Sequence, residues 1–400
     1  MISREQAMEL SAAAAGPLAA EGIDTAAAGG RVLAEDALAG ADLPPFDRAL
    51  RDGYALRSAD TAGTSAKLRV VGTLVGGEVA GSAVGPGECW RVMTGAPVPP
   101  GADAIVMQEE VDETSPAFIQ LHRPADPGRY VAQTGDEVRR GEVLARAGSR
   151  LDPVALGLAL ASGLARLRVH RRPRVSLLAT GSELAPPHET PGPGRIRASN
   201  PWMLGEALAR AGAEANLLGL VSDREEEQRP RLTDGLEADV LIVSGGTGRG
   251  RTDHAERLLR ECGVEILYHG VAVDPGRPAI GGRRGSTLVF GLPGTPLAAW
   301  VLWRVLVAPC LRRLAGESEW RLRLGRARLA SPLEHARGRE VWVPADLSWA
   351  GVERVARPRV ARGCGGLRQQ IGGAALVRIP PGDEERTPAG SLVEVLEGEA

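Results

Sequence analysis

The sequence predicts a multi-domain α/β protein. Its centre is an open, mostly parallel α/β sheet, with a small β domain before it and a C-terminal β-barrel-like domain after it. Three observations carry this. Between Arg174 and about residue 315, short apolar, β-branched runs alternate with helical patterns. Residues 68–121 hold short β runs punctuated by Gly and Pro, and more such runs follow residue 321. Finally, 400 residues with 43% hydrophobic and 24% charged content suit two to four globular domains with sizeable cores. The expected division is 1–170 for a helical and extended N-terminal region with the small β domain inserted at about 46–140, 171–315 for the central domain, and 316–400 for the C-terminal β domain.

In chain order, Ser3-Arg-Glu-Gln6 is a capping box that opens a helix. The alanine-rich stretch 7–20 faintly resembles a signal-peptide core, but Glu9 interrupts it. Pro44-Pro45-Phe46-Asp47 breaks into a loop ahead of Arg51-Asp52-Gly53-Tyr54. Strands are expected at 68–75, 88–93, 104–108 and 118–121, and the loop Met93-Thr94-Gly95 sets a hydroxyl beside a glycine. Asp152-Pro153 starts a helix with an N-cap and proline at its first position. That helix is expected to run to about Arg166 and end in the basic stretch 166–174, which leads into the central domain. Central strands are expected at 175–179, 215–221, 240–243, 264–268 and 287–290, with helices at about 201–211, 224–235, 254–262 and 296–314. The last helix is strongly apolar, but it contains Arg304 and Pro309 and is too short to span a bilayer. It reads as a core or subunit-interface helix. Runs at 341–343, 376–379 and 392–396 then suggest a small barrel or sandwich.

A net charge of −2 gives no global basic field for nucleic acid or a membrane surface. Lys67 is the only lysine, so 48 − 1 = 47 basic residues are arginine, and a cationic contact to an oxyanion falls almost always to arginine. Cys89, Cys262, Cys310 and Cys364 lie far apart, without a C-x-x-C, so neither a zinc site nor a disulfide framework is indicated. A reducing, cytoplasmic setting is expected.

The chemistry centres on Ser244-Gly-Gly-Thr-Gly-Arg-Gly-Arg-Thr-Asp253, which follows the buried strand at 240–243 and precedes a helix closed by Gly263. Glycines at such a turn let backbone N–H groups approach an anion, and the helix dipole adds to the attraction. Asp253 with Glu256 reads equally well as a capping box. The stretch is not a Walker A motif, because no Gly-Lys-Ser/Thr follows. Four more polar, glycine-rich segments sit beyond strands: Thr180-Gly-Ser-Glu183, Ser222-Asp223, Asp274-Pro-Gly-Arg277 and Gly291-Leu-Pro-Gly294-Thr295-Pro296. Open α/β sheets bind ligands outside their strand carboxyl ends, so the five together predict a site.

These words also occur in an order that resembles the molybdopterin molybdenumtransferase family, the MoeA and gephyrin E-domain proteins. The matching residues are Asp52-Gly-Tyr-Ala, Met93-Thr-Gly-Ala-Pro-Val-Pro, Gly135-Asp-Glu, Thr180-Gly-Ser-Glu-Leu, Ser199-Asn200, Ser244-Gly-Gly, Thr252-Asp253, Pro275-Gly-Arg-Pro278 and Gly291-Leu-Pro-Gly-Thr-Pro296. They span nearly the whole chain. The resemblance implies a homodimer with a shared active site, a molybdopterin-binding central fold, and a molybdopterin-adenylylating enzyme as partner. It implies that adenylylated molybdopterin and molybdate react with Mg²⁺ to give molybdenum cofactor and AMP. Glu183, Asp223 and Asp253 are then the expected metal-holding and catalytic acids, with Asp52 and Thr94 contributed across the dimer. Substrate contacts are expected from Asn200, Ser244, Gly245, Gly246, Arg249, Arg251, Arg277, Gly294 and Thr295. Read alone, Asp52 and Thr94 are also ordinary turn residues, and Asp223 and Asn200 also suit helix caps.

The chain departs from the family in its cations. Ala132-Gln133-Thr134 stands where family members carry arginines, and Gly270-Val-Ala-Val-Asp274 where they carry lysines. Thr295 replaces an asparagine, Cys364 a serine, and Arg277 the last lysine. The expected compensation is an oxyanion clamp of Arg249, Arg251 and Arg277. Two functions follow: an active molybdenum insertase, or a non-inserting paralogue that binds molybdopterin as carrier, scaffold or regulator.

Overall fold

The computed structural model describes residues 1–63, 65–248, 254–359 and 366–398. Its central sheet contains β1 (Arg174–Thr180), β2 (Glu214–Val221), β3 (Val240–Ser244), β4 (Glu265–His269), β5 (Ile280–Arg284) and β6 (Thr287–Leu292), in the spatial order β2-β1-β3-β6-β5-β4. The first four strands of that order run parallel, while β5 and β4 are antiparallel additions at one edge. Every residue of β3 is buried because both sheet faces are covered. On one face Leu177, Ile242 and Phe290 pack with α1 (Asn200–Arg210), α4 (Pro296–Leu302) and the N-terminal helix Arg4–Ala13. On the other, Leu178, Leu241, Val243 and Val289 pack with α2 (Glu225–Gly235) and α3 (Ala255–Glu261).

The alternation expected from sequence is present, with one strand added. Residues 280–284 were expected to be loop, and Ile-Gly-Gly-Arg-Arg reads poorly as a strand. Packing overrides that preference. A Cβ at Gly281 would lie 2.0 Å from the Tyr268 ring, and one at Gly282 would lie 2.6 Å from Val264, so only glycine lets β5 run beside β4. The apolar helix 296–314 is continuous, but its middle turn, Trp303–Val307, is a π-helix between α4 and α5 (Ala308–Leu314). Trp303, Val305, Leu306 and Val307 are buried, which makes it a core helix.

The small β domain is a six-stranded sheet in the order Ala104–Met107, Gly53–Leu56, Glu88–Val92, Ala66–Leu74, Phe118–Leu121, Val111–Ser115. Gly53–Leu56 and Val111–Ser115 were not expected as strands. Gly53 is required because a Cβ there would sit 2.1 Å from the Val106 carbonyl. At the N terminus, Ser3 and Gln6 form the expected capping box. Asp152 accepts from the backbone N–H groups of Val154 and Ala155, also as expected. That helix ends at Ala161 rather than near Arg166, because Gly163 turns the chain at φ +79°. The basic stretch then forms a strand, Arg166–His170, antiparallel to Ala20–Asp24.

The C-terminal domain is a closed five-stranded barrel. Glu340–Ala350 pairs with Glu353–Pro358, which pairs with Gly325–Leu329, then Leu392–Leu396, then Ala375–Ile379, which returns to Glu340–Ala350. Closure removes free sheet edges. The barrel is fixed to the rest of the chain in at least two places. Val273–Asp274 pairs in parallel with Glu340 and Val341. In addition, the buried Glu340 carboxylate accepts from Arg4 Nε at 2.9 Å and Arg378 Nε at 2.8 Å.

Candidate active site

The strand-end loops meet in a cleft lined by Thr180, Glu183, Arg197, Ser199, Asn200, Ser244 and Gly294, among others. It lies at the carboxyl ends of β1, β3 and β6. Gly245 and Gly246 make this possible. Both have positive φ, and a Cβ at Gly245 would lie 2.2 Å from the Thr180 carbonyl. The β3 loop therefore folds directly against the end of β1.

Asn200 organises the floor. It is 6% exposed, and its Nδ2 donates to Ser244 Oγ at 2.8 Å and to the Gly294 carbonyl at 2.9 Å. One amide thus ties the starts of α1 and the loops after β3 and β6. It is not a helix cap; Ser199 occupies that position and makes no side-chain cap bond. Two buried polar atoms in the cleft, Asn200 Oδ1 and Thr180 Oγ1, have no hydrogen-bond partner among the described residues. Buried polar atoms are normally paired, so these two are suited to a ligand's N–H or O–H groups.

Glu183 places its carboxylate back over Gly181, where a Cβ would lie 2.7 Å from both of its oxygens. Asp223 is tied to the same turn through Ser182 but does not itself line the cleft. The Ser182 N–H donates to Asp223 Oδ2, and the Asp223 N–H donates to Ser182 Oγ, both at 3.1 Å. Asp223 is not the cap of α2; Arg224 occupies that position, and the helix has no side-chain cap bond. Among the described residues, no three His, Cys, Asp or Glu side chains group closely enough to hold a metal by themselves. Asp253, the third expected acid, lies outside the described residues, as do Arg249 and Arg251.

Asp52 and Thr94 come together, away from this cleft. Asp52 Oδ1 accepts from the Thr94 N–H at 2.6 Å and from its hydroxyl at 2.7 Å. The Thr94 backbone bond, then its hydroxyl, hold the Asp52 carboxyl below the ordinary carboxylate range. The pair is exposed on the small β domain and is absent from the cleft lining. Arg277 and Thr295 are exposed and do not line the cleft either. Sequence reasoning did not single out Thr180 or Arg197. Thr180 was legible as the last residue of a strand entering a glycine turn. Arg197 carried no signal in a chain with 47 arginines, since its place beside Glu183 depends on the short parallel pairing of Leu184–Ala185 with Ile196–Arg197.

A cleft of polar loop residues at the carboxyl ends of a doubly covered sheet defines a small-molecule-binding α/β domain, here carried with a β domain and a barrel. Comparison with known proteins is consistent with that architecture. Residues 2–163 match the family model described as "MoeA N-terminal region (domain I and II)", and 176–313 match "Probable molybdopterin binding domain". The molybdopterin molybdenumtransferase of Bacillus subtilis is 34% identical over 290 residues, covering 70% of this chain and 67% of that protein. Molybdopterin molybdenumtransferase 1 of Mycobacterium tuberculosis is 33% identical over 366 residues, covering 86% and 85%. The crystal structure of a molybdopterin biosynthesis MoeA protein from Pyrococcus horikosii superposes with a TM-score of 0.84 at 31% identity, over 100% of both chains. The chain belongs to the molybdopterin molybdenumtransferase (MoeA) family of molybdenum cofactor biosynthesis enzymes.

Proposed function

We propose that this protein inserts molybdenum from molybdate into adenylylated molybdopterin and releases AMP. The observation that carries the reading is the convergence of Thr180, Glu183, Asn200, Ser244 and Gly294 on one cleft, in a chain of this family. The cleft offers what such a ligand needs. Gly294 leaves backbone at the cleft without a side chain, Gly245 and Gly246 let the β3 loop close on Thr180, and Asn200 Oδ1 and Thr180 Oγ1 have no partner among the described residues.

Glu183 and Asp223 fit Mg²⁺. Both are hard oxygen donors on loops joined by the Ser182–Asp223 bonds, and Mg²⁺ is commonly held by one or two carboxylates with substrate phosphates and waters completing its shell. When bound, the ion would neutralise phosphate charge and polarise the bond to the leaving AMP. Asn200 holds the two loops in register, and Ser244, which lines the cleft, has its Oγ fixed by the Asn200 amide.

A homodimer accounts for the position of Asp52 and Thr94. They form a preorganised, ionised acceptor on a domain whose own chain does not bring them to the cleft, so we assign them to the cleft of a second copy. The test is reconstitution of purified protein with adenylylated molybdopterin, molybdate and Mg²⁺, following AMP. Release that falls at least tenfold in Glu183→Gln supports insertion. Tight binding of adenylylated molybdopterin without AMP release would instead establish the carrier or scaffold reading, which the missing cations at Gly270 and Asp274 favour.

A further inference from the structure

We propose that Arg197 is an oxyanion-binding residue of this cleft, taking over charge that the segment 270–274 does not supply. The inference rests on the insertase reading for the identity of the anion, and on geometry for the contact. Among the described residues lining the cleft, Glu183 and Arg197 are the charged ones, so Arg197 is its cation. Its guanidinium is already oriented. Nε donates to the carbonyls of Pro187 and Glu189, both at 3.1 Å.

An arginine has five N–H donors in a fixed fork, so a guanidinium anchored through Nε presents the four N–H bonds of its two Nη groups as a unit. Arg197 is exposed, and among the described residues its side chain bonds only to the Pro187 and Glu189 carbonyls, with no ion pair to Glu183. That fork matches the paired oxygens of a phosphate or of a tetrahedral oxyanion. The backbone fixes its distance from the acid as well. The Ile196 N–H donates to the Glu183 carbonyl at 2.8 Å, and Arg197 pairs with Ala185, so the strand that carries Arg197 is hydrogen-bonded to the segment that begins at Glu183.

Asp274 cannot play this part. Its strand is committed to the barrel through the pairing of Val273–Asp274 with Glu340 and Val341, and Gly270 has no side chain.

The anion has two sources, the phosphates of adenylylated molybdopterin and molybdate, and titrating each separately distinguishes them. Arg197→Ala should raise the requirement for one of them about tenfold or more, the ratio that loss of a charge-assisted contact supports. A shift in the molybdate titration assigns the contact to molybdate, and a shift in the pterin titration assigns it to phosphate. Arg197→Lys, which keeps the charge, should recover part of the loss. Wild-type titrations in Arg197→Ala would overturn the proposal. So would equal impairment of both variants with a matching fall in melting temperature, which would leave only the anchoring of residues 186–197. If wild-type protein releases no AMP, the insertase reading falls by itself. Arg197 is then judged by calorimetric titration of the protein with molybdate alone and with AMP alone. Weaker binding of either anion by Arg197→Ala sustains the site, and unchanged affinities for both refute it.

Discussion

Glu340→Gln should loosen the attachment of the barrel to the rest of the chain. The Glu340 side chain is 5% exposed and Oε1 accepts from two guanidiniums, those of Arg4, whose side chain is 4% exposed, and Arg378, at 16%. Removing one partner from a buried ion pair costs about 3–5 kcal/mol, mainly because the remaining charge stays buried. Two features lower the figure here. Arg4 and Arg378 both reach Glu5, at 3.1 and 3.0 Å, and Arg378 also reaches Glu394 at 2.7 Å. Glutamine also retains one acceptor. A loss of about 2–3 kcal/mol is therefore expected, near the lower end of that range. Because a chain of several domains need not unfold in one step, the assay is native-state hydrogen exchange read by mass spectrometry. Amides in Arg4–Ala13 and at the start of Glu340–Ala350 should exchange about 30- to 150-fold faster, at 1.4 kcal/mol per decade, while β3 keeps its protection. Unchanged exchange in both segments would refute the argument and would mean that Glu5 and Glu394 suffice.

Other outcomes follow from the same geometry. Asn200→Ala should cost about 1–3 kcal/mol, since Ser244 Oγ and the Gly294 carbonyl lose their donor, and should depress AMP release beyond the loss of folded protein; equal activity per folded molecule would contradict the site. Gly245→Ala should reduce soluble yield or binding sharply, because a methyl at φ +106° would lie 2.2 Å from the Thr180 carbonyl, and normal binding by calorimetry would show that the loop yields. Asp239 joins Arg171 through two 2.6 Å bonds and accepts from the Arg174 N–H. Burial pushes its carboxyl up, but these donors outweigh it and the net shift is downward. A lowered folded-state pKa gives stability that is present above the unfolded value of about 3.9 and lost as pH falls through the folded one. Asp239→Asn should thus destabilise strongly at pH 7 and little near pH 2, as read by denaturant melts. Mixing Asp52→Asn with Glu183→Gln protein should restore part of the AMP release through heterodimers, and light scattering that shows only monomers would end the shared-site reading.

The central domain was legible because its signals are local. Val240–Ser244 is apolar at every position except its last, and each glycine turn announces a strand end. What escaped depends on contacts between distant residues. Ile280–Arg284 is a strand only because Tyr268 fills the space above Gly281, and Arg166–His170 is one only because Ala20–Asp24 lies beside it. The site was legible in the same uneven way. Glu183, Asn200, Ser244 and Gly294 were found by their place in motifs, yet the roles given to Asn200 and Asp223 by cap chemistry were displaced by longer bonds, to Ser244 and to Ser182. Arg197 needed the fold itself, since nothing local marks which of many arginines has its Nε fixed and its fork open.

The Arg4–Glu340 bond spans 336 residues of sequence and so carries a consequence for synthesis. A ribosome adds about 5–20 residues per second, so the helix at the start of the chain waits roughly 17–70 s after emerging before the barrel strand that neutralises it exists. During that interval Arg4 must remain hydrated or lean on Glu5 alone, and the face of Arg4–Ala13 that later enters the core, with Ala7, Met8 and Ala12, has no finished surface to bury against. The helix is thus translated well before the barrel strand that completes its surroundings. A nascent chain stalled before residue 340 should offer that helix to proteases or chaperones, even after its central sheet has formed.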